Sequence, residues 1–347
     1  MKRFIGIILV LTLLLSVGCK KKTPVVIETP TEPEVVEEVE TKLPETIEST
    51  VEAAKPQPSK QHPLFEDRRP IAFMINNHPE AQPQSGWSHA KIAYEILVEG
   101  NLTRILLISD AETGVVGPIR SARPAFFEVA AEYQPIYSHV GNYEYVQESP
   151  MQYFLIDFDQ FFHGGYYRTA HRYAPHNLYG SMEGIYAAAQ AEGHSLDLPE
   201  DGLGHFEIFD KAKVYEGGTP VTNISFTYDG AQQLNFRYDP DKQAYIKSIN
   251  GVDVIDETTG ELLEIANYII LERPHGKMPN GIHEYVDYLS DGTARLFIQG
   301  QEFALDYHKP APELPMEFRL DGELLVLNPG FTFINVVPTG MPITATP

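Results

Sequence analysis

The chain is predicted to be α+β, with an N-terminal mixed α/β domain at 61–205 and a β-rich, sandwich- or barrel-like domain at 206–340. Three observations carry that prediction. Up to about residue 205, continuous apolar runs of strand length alternate with segments of helical spacing. Beyond it, short alternating runs follow one another between Asn-Gly and Asp-Gly turn signals. Ahead of both, the first 60 residues show neither pattern.

Composition narrows the function classes. The chain has 347 residues, 43% of them apolar, which is long enough for two cores. Its formal net charge is -22, from 26 Lys+Arg against 48 Asp+Glu. So acidic a surface repels phosphate backbones and argues against nucleic acid as a partner. The single cysteine, Cys19, excludes an intramolecular disulfide and any zinc site built on several thiolates.

The elements follow in order. Lys2 and Arg3 precede an apolar stretch at 4–17 that is short for a membrane span but has the length and flank of a secretory h-region. Residues 1–18 are read as a signal peptide. Leu15-Ser16-Val17-Gly18-Cys19 resembles a bacterial lipobox. That resemblance implies lipidation of Cys19 and an anchor on the outer, extracytoplasmic face of the bacterial membrane. Residues 19–60, from Cys19 on, are rich in Pro and Glu and contain no Gly and no aromatic residue. They read as a disordered linker with a contour on the order of 125 Å.

In the first folded segment, 71–75 is an apolar run ended by Asn76-Asn77-His78-Pro79 and reads as a buried strand. Residues 92–98 and 103–109 flank Glu99-Gly100-Asn101 and predict a hairpin. Pro124 suits a first helical turn, with helical spacing over 125–133. Strands are expected at 136–140 and 154–158, and a helix at 182–191. In the second segment, strands are predicted at 223–228, 235–238, 244–249, 267–271, 284–289, 294–298, 303–307 and 331–337.

Three islands are dense in polar residues: 76–86, 95–124 and 163–179. Their motifs Met74-Ile75-Asn76-Asn77, Tyr94-Glu95-Ile96-Leu97-Val98-Glu99-Gly100, Gly117-Pro118-Ile119-Arg120-Ser121-Ala122-Arg123 and Ala174-Pro175-His176-Asn177-Leu178-Tyr179 resemble the YerB-like bacterial lipoprotein family. Phe236-Arg237-Tyr238-Asp239 and Leu327-Asn328-Pro329-Gly330-Phe331-Thr332 extend the resemblance to about residue 338. It implies a lipoprotein with an N-terminal and a C-terminal domain and brings no established reaction.

The chemistry therefore has to come from the residues. Arg104, Arg120, Arg123, Arg168 and Arg172 concentrate in the islands of an acidic chain. Guanidiniums near a helix start are suited to fork onto a phosphate or carboxylate. The candidate anion or partner site is Arg104, Arg120, Ser121, Arg123, Arg168, Arg172, His176 and Asn177. The competing reading is an internal network in which Glu95, Glu99 and Asp110 pair with the arginines. Ser121 between two arginines is suited to a nucleophile or to a helix N-cap, but no G-x-S-x-G elbow accompanies it.

The hairpin followed by Arg-x-x-Arg also resembles, in layout, the LytR–CpsA–Psr-type enzymes. That implies transfer of cell-wall polymer from a polyprenyl-pyrophosphate carrier, although the acidic-Thr strand motif of those enzymes is absent. His163, His171 and His176, with Asp157 and Asp159, follow no metal-ligand spacing, so no metal and no cofactor are expected. The aromatics at 143–173 suit a groove lining or a core. The expectation is a non-catalytic envelope binding module. Its expected partners are the membrane through its lipid, envelope proteins, or an anionic cell-wall or lipid-linked ligand.

Overall fold

In the computed structural model, residues 60–199, 206–228 and 232–347 are described. The predicted signal peptide, Cys19 and nearly all of the linker lie outside them, as does the proposed boundary at 205/206.

The chain builds β1 (Ile71–Asn76), β2 (Ile92–Leu97) and β3 (Thr103–Ser109) before α1 (Phe127–Ala131). β4 (Ile136–His139), α2 (Tyr143–Glu148), β5 (Ile156–Asp159), β6 (Tyr166–Arg168), β7 (Leu178–Ser181) and α3 (Met182–Ala191) follow. The second segment supplies β8 (Asn223–Thr227), β9 (Gln233–Asp239), β10 (Ala244–Ile249), β11 (Asn267–Arg273), β12 (Ser290–Ile298) and β13 (Gln301–Lys309). It ends with β14 (Glu317–Leu320), β15 (Glu323–Leu324), β16 (Thr332–Pro338) and β17 (Thr344–Thr346).

The expected hairpin is present, with Leu97 opposite Thr103 and Ile92 opposite Ile108. Pro124 begins a 3-10 turn that runs into α1, and α3 spans the predicted helix, with the Ser181 hydroxyl capping the Gly184 N–H. The strand expected at 154–158 starts later, because 150–154 coil into a 3-10 turn capped by Ser149. Helix α2 and the short β6–β7 pair carry no sustained periodicity, so local pattern does not predict them.

One large mixed sheet, in the order β15-β14-β13-β12-β11-β16-β2-β3-β1-β4-β5, takes strands from both segments. The join is β16, which runs parallel to β11 on one side and to β2 on the other. A strand with neighbours on both edges and cores on both faces has no solvent-facing polar side, which is why 71–75 reads as a continuous apolar run. Alternate residues enter different cores: Ala72, Met74, Tyr94, Ile96, Ile334 and Val336 on one face, and Ile71, Phe73, Ala93, Phe333 and Val337 on the other. The first face is covered around α1. The second is covered by α3 and by a smaller sheet containing β10, β9, β8 and β17 in that order. The smaller sheet packs face to face on the large one, with the Phe236 and Tyr268 rings stacked at 4.1 Å between centroids. Of the sandwich or barrel that the turn-punctuated pattern predicts, the structure shows two sheets packed face to face, the larger one including strands of the first segment.

Candidate anion-binding site

The polar islands meet at one end of the β1–β4 part of the sheet. Residues 119–122 run extended between its strands: the Arg120 N–H donates to the Met74 carbonyl at 2.7 Å, and the Val140 N–H donates to the Arg120 carbonyl at 3.1 Å. The segment 166–178 closes over them, with the Ile119 N–H donating to the Leu178 carbonyl at 2.7 Å.

The predicted arginines do not act as one cluster. Arg104 and Arg123 are both buried and share one carboxylate, Glu99. Arg123 Nε donates to Glu99 Oε2 at 2.6 Å and its Nη2 to Oε1, while Arg104 Nη2 donates to Oε1 at 3.0 Å. Arg104 Nη1 also donates to the Ser121 carbonyl. Burial pulls the Glu99 carboxyl upward, but Arg123 and Arg104 outweigh it and leave it below the ordinary value. Burial, and then repulsion by Arg123, lower the Arg104 pKa. A guanidinium stays protonated at neutral pH even so.

Arg172 is spent as a staple. Its Nη2 donates to Glu257 Oε1 at 2.8 Å and to the Pro83 carbonyl at 2.7 Å, and its Nη1 to the carbonyls of Glu80 and Gln82. The expectation that Arg104, Arg123 and Arg172 offer free guanidiniums is corrected here, because each is already bonded to a carboxylate, Arg104 and Arg123 to the same one. Two of the expected acidic partners also differ. Glu95 pairs with Lys247, and Asp110 with Lys91 at 2.7 Å.

Arg120, Ser121 and Arg168 remain. They line one cavity of about 240 Å³ with Gly141, Phe161 and Pro175, and among the described residues no carboxylate lines it. Arg168 is oriented by Asn177, whose Oδ1 accepts its Nη1 at 2.8 Å and whose Nδ2 is tied to the carbonyls of Thr169 and Arg172. Arg120 is half-buried. Burial and then Arg123 lower its pKa, and Glu99, already shared by two guanidiniums, is the carboxylate that acts on it. Arg120 therefore shares the influence of one carboxylate, Glu99, with two guanidiniums that are bonded to it. Ser121 is not a helix N-cap: Arg123 stands at that position, without a side-chain cap bond.

The three expected histidines are dispersed. His163 bonds to Glu192 at 2.8 Å and stacks on Phe158, and His171 bonds to Glu257 at 3.0 Å. His176 instead stacks on His78 at 4.7 Å, and with Glu80 these two form a group with its ligand-type atoms within 4.8 Å of one another. The hydrogen bonds around this group oppose a metal. Asn76 Oδ1 accepts the His78 N–H at 3.1 Å, so its Nδ2 faces His176 Nδ1 at 2.8 Å as a donor. His176 then carries its proton on Nε2, 3.2 Å from Glu80. His78 Nδ1 likewise accepts the Glu80 N–H at 3.2 Å. A metal on either Nε2 would need a proton on Nδ1, against those donors. Burial and then the His78 ring lower the His176 pKa, which keeps the ring neutral at pH 7.

Family models for a protein of unknown function (DUF3048) match this chain twice, the N-terminal domain at residues 57–195 and the C-terminal domain at 224–334. The chain is 31% identical over 287 residues to "Putative lipoprotein YerB" of Bacillus subtilis (strain 168), covering 78% of this chain and 82% of that protein. It belongs to the YerB-like family. The crystal structure of YerB protein from Bacillus subtilis superposes with a TM-score of 0.69 at 28% identity, over 82% of this chain and 99% of that one. This YerB-like chain is thus a two-segment protein whose family has no assigned reaction.

Sequence reasoning missed two residues that build the site. Glu257, from the second segment, accepts hydrogen bonds from Ser85 Oγ (2.9 Å), Tyr179 OH (2.6 Å), His171 and Arg172. Its neighbour Asp256 accepts the N–H groups of Gly86 and Ser88 at 3.0 and 3.1 Å. Asp256-Glu257 precede a Thr-Thr-Gly turn and look like ordinary loop acids. No local signal marks them, because their partners are about 80 to 170 residues away in sequence.

Proposed function

We propose that this protein is a cell-envelope lipoprotein, anchored through Cys19 on the outer face of the bacterial membrane, that acts as a non-catalytic binding module. Its binding site is the Arg120–Ser121–Arg168 cavity, and its ligand is an anion. One observation carries this reading. In a chain of net charge -22, two guanidiniums to which no carboxylate among the described residues is bonded line the same cavity, and one of them is half-buried against further positive charge. A bound anion would offset that repulsion and accept forked hydrogen bonds. The lipid anchor is supported by the lipobox-like segment and by the lipoprotein name of the Bacillus relative. The transferase reading is weakened, since Arg123, one of the two arginines of the Arg-x-x-Arg segment that layout would place on a pyrophosphate, is held by Glu99.

The test is calorimetric titration of the full chain with inorganic phosphate and pyrophosphate. Arg120→Ala and Arg168→Ala are each expected to weaken binding at least tenfold, and Arg237→Ala, in an exposed pair with Asp253, to leave it unchanged. No heat with either anion, or equal affinity in all three variants, would refute the anion site.

A further inference from the structure

The cavity has a second feature that two arginines do not explain. Phe161 forms one of its walls and yet is 65% exposed, and the adjacent Phe162 is 64% exposed. Two neighbouring open rings beside a cavity form an apolar patch of the kind that marks a ligand site. The turn that presents them is rigidly built. Asp159 is buried at the end of β5, and its Oδ1 accepts the Phe161 N–H at 3.0 Å while its Oδ2 accepts the Gly141 N–H at 2.9 Å. Its carbonyl accepts the N–H groups of Phe162 and His163 at 2.9 and 3.1 Å. The same buried carboxylate thus fixes both the Gly141 wall of the cavity and the ring beside it. An apolar wall and a pair of cations are held in a fixed relation, which suits a ligand with an anionic head and an apolar group next to it.

We propose that the ligand is a phosphate monoester carrying a hydrocarbon chain, with its dianionic head between Arg120 and Arg168 and its first methylenes against the Phe161 ring. Two uncompensated guanidiniums match a dianion better than a carboxylate. This deepens the reading above and rests on it. The chemistry has two sources, a two-chain membrane phospholipid with a terminal phosphate or a single-chain phosphate monoester.

The experiment titrates the full chain with inorganic phosphate, hexyl phosphate and dihexanoyl phosphatidic acid, each below its micelle concentration. Two to three methylenes packed on the ring, at about fourfold in affinity each, predict hexyl phosphate to bind about 15- to 60-fold tighter than phosphate. In Phe161→Ala that ratio is expected to fall toward one, and in Phe161→Leu to persist. Tighter binding of the two-chain compound than of hexyl phosphate assigns a lipid source, and the reverse order a single-chain monoester. Equal affinity for phosphate and hexyl phosphate would overturn this inference while leaving the anion site standing. A ratio unchanged in Phe161→Ala would overturn it too. No binding of phosphate or of either ester would sink the anion reading itself.

Discussion

Lys247→Met is the most informative test of how the two segments hold together. Lys247 lies in the smaller sheet and Glu95 in the large one, and both are almost fully buried. Lys247 Nζ donates to Glu95 Oε2 at 2.6 Å and sits 4.4 Å from the centroid of the Phe333 ring. The carboxylate is also held by Asn77 Nδ2 (2.9 Å), Thr103 Oγ1 (2.8 Å) and Asn335 Nδ2 (3.1 Å). These neutral donors satisfy its lone pairs but do not cancel its charge. Methionine fills nearly the volume of lysine, so the substitution removes the cation without opening a cavity. Breaking a buried ion pair from one side costs about 3–5 kcal/mol. A unit of about 290 residues has an unfolding entropy near 0.6 kcal/mol/K, so the melting temperature is expected to fall by about 5–8 °C. Differential scanning calorimetry at pH 7 measures this. The double variant Glu95→Gln/Lys247→Met removes both charges and is expected to recover most of the loss. A single variant melting within 1 °C of the parent, or a double variant no better than the single, would refute the reasoning.

Two further outcomes follow from the site. Glu99→Gln leaves Arg104 and Arg123 without their carboxylate, so the variant is expected to be less stable than the parent by about 2–4 kcal/mol at pH 7. The Glu99 pKa is depressed in the folded state, so its contribution is fully present above about pH 4.5 and is lost as pH falls through the folded value. The gap between variant and parent melting temperatures should therefore close as pH falls below the ordinary carboxylate value of 4.5 and through the folded one, and a gap that widens there would contradict the assignment. Gly165→Ala tests the packing of the β6 approach against α3. With φ at +92° and a new Cβ 2.5 Å from the Ile185 nitrogen, both backbone strain and a clash are introduced. A loss of about 2–4 kcal/mol is expected by chemical denaturation, and a loss under 0.5 kcal/mol would show that the loop simply moves aside.

The sequence by itself determined the elements that rest on local pattern. The hairpin at 92–109, helix α3 and the β-rich second segment were legible because period, caps and turn dipeptides are short-range properties. The family resemblance was legible for the same reason, carried by contiguous motifs such as Gly117-Pro118-Ile119-Arg120-Ser121-Ala122-Arg123. What only the tertiary structure decided is pairing. Composition placed five arginines in the islands, but nothing local tells which find a carboxylate. Glu99 reaches Arg123 across 24 residues, and Glu257 reaches Arg172 across 85. Nor does local pattern show that β16 joins β2 to β11, since a strand's sequence reports its burial and not the identity of its neighbours. The cations left for a ligand, Arg120 and Arg168, are those that remain once these distant pairings are made. Charge neutralisation inside a fold is settled by which side chains the topology brings within hydrogen-bonding distance.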